Sequence, residues 1–476
     1  MWTLATSFLA DLEDRKIRAT GWANQTNVQP VGMMLLGLAL LLVLALPRRY
    51  ALTPFMLLAC TAARQRVVIA TLDFDFIRLA IVVGWIRVLM RMEVTAFRWK
   101  PIDTLFLGWC MTTAIAYTAL HKTTGAATLQ SGQLVTIAGG YFLFRVLVQN
   151  WDDVLSFVRF SAIIAIPVAL LIMVEKTTAR NLFSVLGGVP PLSQIRDGVV
   201  RAQGAFAHPI LAGVFWATMV PLFAALWWRG GMDRMLGLAA IGCSVLIVLA
   251  CASSTPIVAL MAAAFAAGMF LYRTKMRQAR WALLFMLIFL HMVKTKPVWH
   301  MFVYADIIGG STGWHRYHLI DECIRRVAEW GAIGTQATNH WGPGLRDVTN
   351  QFVLVGVRGG LVALAFFIGA ISLAFGSVGR LWRVQLGRPA ETAMAWALGV
   401  TLFTHITSFF AVSYFGQIVT LFTIHMAIIA SLSPTKPQFR TFSQQVAARR
   451  RAAMLAARER ARERAENSGR GEGAIA

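Results

Sequence analysis

The sequence is poor in charge. Only 14% of its 476 residues are Asp, Glu, Lys or Arg, against about 25% in an ordinary soluble protein. Acidic residues are the scarcer kind, 22 against 45 basic ones. Cysteine is scarce too: Cys60, Cys110, Cys243, Cys251 and Cys323 show no CxxC pair or other metal-ligand spacing. There is no HExxH pattern and no internal repeat. These absences argue against a soluble multidomain enzyme, a disulfide scaffold, a zinc hydrolase and an inverted-repeat transporter. A disordered chain is excluded from the other side, because 57% of the residues are hydrophobic and the mean hydropathy is +0.61. Most of this chain never meets water.

What is present is a succession of long apolar runs. A helix crosses the bilayer core with about 20 residues. Candidate spans are 31–46, 52–63, 76–90, 104–120, 134–148, 154–174, 210–228, 236–251, 256–272, 281–293, 352–375, 392–410 and 412–432. The second is too short to cross untilted and also reads as a re-entrant piece, so the expected count is 12 or 13 and the side of the N-terminus stays open. Residues 1–30 lack the basic start of a secretory signal and read as a short interfacial segment. The expected architecture is an all-α integral membrane protein. Its transmembrane domain occupies 31–432, with a large outward loop at 294–351 and a basic helical tail at 433–476.

The net charge of +23 would suggest nucleic acid in a soluble protein. Here its placement gives a different reading. Arg229 and Arg234 flank one short loop; Arg273, Lys275, Arg277 and Arg280 fill a second; Arg380, Arg383 and Arg388 fill a third. The tail after Leu432 adds ten basic residues against four acidic ones. Alternating spans place all four on one face, which the positive-inside rule makes cytoplasmic. The tail then suits anionic lipid, and nothing supports nucleic-acid binding. The segments 175–209, 252–255 and 294–351 face outward.

The most informative outward stretch runs Arg201-Ala-Gln-Gly-Ala-Phe-Ala-His208-Pro-Ile-Leu-Ala-Gly213. Gly204 permits close backbone approach, and Pro209 suits a first helical turn, so Arg201 and His208 sit at the mouth of the next span. A guanidinium there can fork onto a phosphate or diphosphate; the plainer reading is a topogenic or snorkelling arginine.

The pattern Arg-x-x-Gly-x-Phe-x-His-Pro-x-x-x-Gly before a span resembles the signature of the bacterial O-antigen polymerase and O-antigen ligase family. Further pieces agree in order: Asp73-Phe-Asp-Phe-Ile-Arg78, Gly140-Tyr-Phe-Leu-Phe-Arg145, the small turn Ser253-Ser254-Thr255, Gly313-Trp-His-Arg316, Asp347-Val-Thr-Asn350 and a glycine-rich helix start at 356–360. The likeness covers about 72–432. It implies a metal-independent glycosyltransferase of the bacterial inner membrane, with no cofactor. The donor would be an oligosaccharide on a polyprenyl diphosphate, transferred outside the membrane to a glycan or lipid-linked acceptor. Membrane lipids and other polysaccharide-assembly proteins would be its remaining partners. By the same resemblance Arg201 holds the diphosphate and Arg316 is the large-loop arginine, with His208 and Asn350 as further substrate-binding positions. Two departures stand out. The small turn carries no arginine, which leaves Arg316 as the second clamp, and Thr349 stands where many members have histidine. The base is then Asp347, His315, His318 or His340. These departures resemble an exopolysaccharide-type branch and favour polymerase over ligase.

The large loop supports a functional reading in its own right. Tyr317, Ile320, Ile324, Val327 and Ala328 predict one apolar face of an amphipathic helix over 314–330. Trp299, Trp314, Trp330 and Trp341 are either an interfacial belt or, for Trp314 in particular, a sugar-stacking surface. Within the spans, Asp75 and Arg78 read as a structural pair, and Arg145 as a group at the cytoplasmic rim. The alternative to an enzyme is a transporter or flippase of a lipid-linked or amphipathic substrate.

Overall fold

The computed structural model describes residues 28–434, apart from 63–64, 70–71 and 306–311, together with Arg451 and Met454. Nearly all of the expected interfacial segment 1–30 and of the basic tail lies outside the described residues. The helices are α1 (Pro30–Ala45), α2 (Thr53–Thr61), α3 (Phe76–Met90), α4 (Pro101–His121), α5 (Thr124–Leu134), α6 (Gly140–Leu147), α7 (Trp151–Thr178) and α8 (Pro209–Ala225). They continue with α9 (Gly231–Ala250), α10 (Ser254–Gly268), α11 (Met276–Val293), α12 (Thr312–Arg325), α13 (Val327–Trp330), α14 (Gln351–Val384), α15 (Pro389–Phe409) and α16 (Gln417–Leu432). Two antiparallel hairpins, which hydropathy did not predict, join them: β1 (Arg66–Ile69) with β2 (Leu72–Asp75), and β3 (Gln194–Arg196) with β4 (Val199–Arg201).

Every expected span overlaps a helix. Five helical stretches are long and apolar enough to cross a membrane: Trp151–Thr178, Pro209–Arg229, Gly231–Ala250, the kinked Ser254–Val293 and Gln351–Val384. This is an all-α membrane architecture. Three local differences have physical causes. The segment 52–63 yields only nine helical residues. A π-helical stretch, Val135–Gly139, separates α5 from α6. The last span starts at Gln417, because Gly416 has a left-handed φ of 67°.

Local signals start the helices. Proline opens α1, α4, α8 and α15 at the first helical position, where its absent N–H costs nothing. Asn150 and Asp153 form a reciprocal capping box on α7. The core centres on α8, enclosed by α9, α10 and α15, with Trp216 fully buried. The periphery is apolar too: Leu170, Phe265, Phe285 and Phe289 are exposed, a surface suited to hydrocarbon.

Hydrogen bonds between helix ends sort the connections onto two faces. On one, Arg48 bonds Asp153 and the Leu147 carbonyl, and Lys100 Nζ donates to the carbonyls of Ala430, Ser431 and Ser433. On the other, Gln29 and Gln65 join the 182–187 turn, and Gln336 donates to the Leu120 carbonyl. The first face holds the strongest buried ion pair. Arg145 Nε and Nη2 fork onto Asp103 at 2.9 and 3.0 Å, and Tyr141 donates to the same carboxylate at 2.6 Å. Arg145 is thus a locked structural group and not the lipid contact that a rim arginine suggests.

Removing one partner of a buried pair strands the other charge, which costs roughly 3–5 kcal/mol. Arg145→Leu and Asp103→Leu should each lower the unfolding temperature in detergent, and the double variant should recover part of the loss. Single variants as stable as the parent would show that the pair contributes nothing.

Candidate functional site

The site begins with a carboxylate that the sequence did not single out. Glu175, in the last turn of α7, is fully buried. Its Oε1 accepts from Ser193 Oγ at 2.7 Å and from the Gln203 amide at 2.9 Å, and its Oε2 accepts from the Gly204 amide at 2.8 Å. Lys176 next to it donates to the Val200 carbonyl. Gly204 has φ of 57°, and a Cβ there would press on Ile172 at 3.2 Å, so glycine meets both demands. The hairpin β3–β4 is therefore tied to α7 from both sides of Arg201.

Arg201 is 5% exposed. It donates to Gln194 Oε1 at 3.2 Å, while its buried Nε has no hydrogen-bond partner among the described residues. Among the described residues it forms no ion pair. Burial, then the nearby Arg196, lowers its pKa. A buried guanidinium with a spare donor and no carboxylate is a poor structural device and a good anion receptor.

The next residue attaches this segment to the small-residue turn, since the Ala202 amide donates to the Ala250 carbonyl at 3.2 Å. Arg316 reaches the other end of that turn. Its Nη2 donates to Thr255 Oγ1 at 2.8 Å, and the side chain is buried. The segment that carries Arg201 and the Arg316 side chain, remote in sequence, are thus tied to opposite sides of the 251–255 turn.

His208 caps α8, its Nδ1 accepting from the Ile210 amide at 3.2 Å. In the neutral ring the proton is then on Nε2. Burial, and secondarily Arg201, pull its pKa down to about 4, against the opposing influence of Asp347. His208 is thus a neutral hydrogen-bond donor flanked by Arg201 and Asp347. Asp347 is exposed, and His315 Nε2 lies 3.2 Å from its backbone carbonyl. His318 packs against Gly342, where a Cβ would sit 2.9 Å from its Nε2.

The remaining expected residues take other duties. His340 is engaged by Glu329 at 3.0 Å. Asn350 is the N-cap of α14, accepting from the Phe352 and Val353 amides. Trp314 stays exposed, beside Tyr317 at 5.3 Å between ring centroids. Trp330 and Trp341 are core residues, packed with Leu319, Cys323 and Leu345. The amphipathic helix breaks at Arg326 into α12 and α13, and its buried stripe is Arg316, Leu319 and Cys323. Ile324 and Val327 are exposed instead, because the tryptophan cluster turns Leu319 inward. The glycines at 356–360 do not start a helix but interrupt one: Gly360 has φ of 72°. There Thr335 donates to the Val357 carbonyl and Leu361 to the Gly331 carbonyl, each at 2.8 Å.

No family model matches the chain, and no curated protein sequence matches it. The chemistry is carried by the side chains themselves.

Glu175→Gln keeps the shape but turns an N–H donor toward a backbone N–H. A buried donor left unsatisfied costs roughly 1–3 kcal/mol, so the variant should unfold earlier and its 193–204 segment should be cut faster by protease. Unchanged cleavage would remove Glu175 as the anchor. A second check uses pH. His208 has its folded pKa depressed to about 4, below the ordinary 6.5, so between those values the unfolded chain binds the extra proton. Its contribution to stability is full above pH 6.5 and is lost as pH falls toward 4. His208→Asn should flatten that part of the stability profile, measured as unfolding temperature against pH; an unaltered slope would contradict the assignment.

Proposed function

We propose that this chain is a membrane glycosyltransferase that polymerises polyprenyl-diphosphate-linked glycan on the outer side of a bacterial cytoplasmic membrane. The observation that carries the reading is the meeting of the Arg201 segment and Arg316 at the small-residue turn, where the Ala202 amide bonds the Ala250 carbonyl and Arg316 bonds Thr255, with His208 near both Arg201 and Asp347. In this reading the face bearing Arg48, Lys100 and the basic loops is cytoplasmic, the C-terminus lies on that side, and the chain crosses the membrane 13 times, α5, the π-stretch and α6 counting as one crossing. Gln29 then lies on the outer face.

The two arginines hold the donor diphosphate, and the neutral His208 donates to it through Nε2–H. The acceptor hydroxyl attacks the anomeric carbon, forming the new glycosidic C–O bond. The bond from that carbon to the diphosphate breaks, and its electron pair leaves with the diphosphate, whose growing charge the guanidinium groups neutralise. Asp347 takes the hydroxyl proton as general base, with His315 buttressing its backbone. His340, held by Glu329, is not needed for this step. The exposed apolar flanks of α10 and α14, with Met261, Phe265, Leu361 and Val362, offer the polyprenyl tail a surface of its own kind. Trp314, exposed beside Tyr317, is placed to stack on sugar.

Arg201→Ala and Arg316→Ala should each cut chain growth on the order of 10²-fold or more, with insertion and unfolding temperature preserved. The assay supplies purified protein with a defined lipid-linked repeat unit and no other acceptor, then resolves the product on a gel. A ladder supports polymerisation. A normal ladder from both variants would overturn the site, and product formed only when a lipid core is added would mark a ligase.

A further inference from the structure

A cavity of about 270 Å³ opens between α3, α4, α5, α14 and α16. None of its polar residues belongs to the donor site. Arg358 is in its wall, two turns into α14 and just before the break at Gly360. Among the described residues Arg358 makes no hydrogen bond or ion pair, and its side chain is exposed. An arginine inside an apolar helix is costly unless it meets water, a partner or a ligand. The other cation of the wall, Arg78, is neutralised by Asp75 at 3.7 Å and bonds Thr136 at 3.0 Å. Among the described residues, the cavity therefore carries one uncompensated positive charge.

The rest of the wall is short of partners as well. Gln417 is fully buried, and its Nε2 donates to the Ala205 carbonyl at 2.6 Å while its Oε1 has no partner among the described residues. Thr113 Oγ1 is buried and likewise unpartnered among the described residues. The Gln130 side chain, 7% exposed, makes no hydrogen bond among the described residues. Gln351 turns its Oε1 to the Tyr414 amide at 2.7 Å. Buried polar groups are normally satisfied, and orphaned ones call for a partner that the chain does not supply. Amide and hydroxyl groups that both donate and accept, aromatic walls at Trp109 and Tyr414 and one free guanidinium are the chemistry that binds a sugar joined to phosphate.

The cavity adjoins the donor site. Gln417 grips the carbonyl of Ala205, four residues past Arg201, and Gln351 lies four residues past Asp347. We infer that this cavity holds the phosphate-linked sugar of a second lipid-linked substrate, the acceptor, with Arg358 on its phosphate and the glutamine amides on its hydroxyls. The inference rests on the glycosyltransferase reading and sharpens it: the chain holds two lipid-linked units at once, one on each side of the 201–206 segment.

The test measures binding of radiolabelled polyprenyl-diphosphate-N-acetylglucosamine to the full chain in nanodiscs. Two equivalents are expected for the parent chain. Arg358→Gln should weaken one of them about ten- to hundredfold, the range for a lost charge-assisted contact, with no fall in unfolding temperature because Arg358 has no partner to lose. Arg201→Gln should weaken the other. Gln130→Leu, a second route to the cavity at a side chain with no hydrogen bond to lose among the described residues, should act as Arg358→Gln does. Two full-strength equivalents in both cavity variants would overturn the proposal. So would equal loss of dioleoylphosphatidylglycerol binding without loss of the sugar lipid, which would mark an ordinary headgroup site. If Arg358→Gln removes one equivalent and Arg201→Gln removes none, the cavity stands and the donor assignment falls.

Discussion

The arrangement of the outer face depends on one buried carboxylate. Glu175 sits where a helix end already presents unsatisfied carbonyls, an unfavourable place for a negative charge. It is held there by three donors, two of them the backbone amides of Gln203 and of Gly204, the latter at positive φ. That anchor sets the path of the 193–204 segment and so the position of Arg201. Ala202 then fastens the segment to the end of α9, and the turn beyond it receives Arg316. Loss of the carboxylate would loosen elements drawn from three distant parts of the chain.

The two faces treat arginine differently. On the basic face the inner arginines are paired: Arg145 with Asp103, Arg87 with Glu93, Arg48 with Asp153. Burial of those charges is tolerated because each has a carboxylate and further hydrogen bonds. On the opposite face Arg201 and Arg358 are left without a carboxylate among the described residues. A low-dielectric setting magnifies what such a group does to an arriving anion. Other arginines of that face are paired, Arg78 with Asp75, Arg325 with Asp321 and Arg326 with Glu322, so Arg201 and Arg358 differ from their own neighbours as well.

Much of this was legible in the sequence, and the rest was lost for identifiable reasons. Hydropathy located the apolar helices, because a span needs only length and apolarity, but it passed over α5, whose threonine, serine and glutamine residues break the apolar run. The segment from Arg201 to Gly213 stood out because arginine, glycine, histidine and proline each have restricted roles at a helix mouth. His340 and Asn350 looked equivalent to His315 and Asp347, since composition does not show that Glu329 and a helix N-terminus already occupy them. The apolar face of α12 was misread because Ile324 and Val327 are as hydrophobic as Leu319, and only the packing of Trp330 and Trp341 decides which turns inward. Arg358 lies among glycines that read as a helix start, and Glu175 lies at the end of an ordinary span.

By itself the sequence determined the membrane character, the helical segments and the separation of charge between connections. All three are sums over local residues and need no knowledge of neighbours. Tertiary structure decided which arginines are neutralised, which polar atoms are left without partners, and which distant segments meet at the 251–255 turn. Those are properties of pairs. A guanidinium is structural or receptive according to what packs beside it, and that companion comes from another helix.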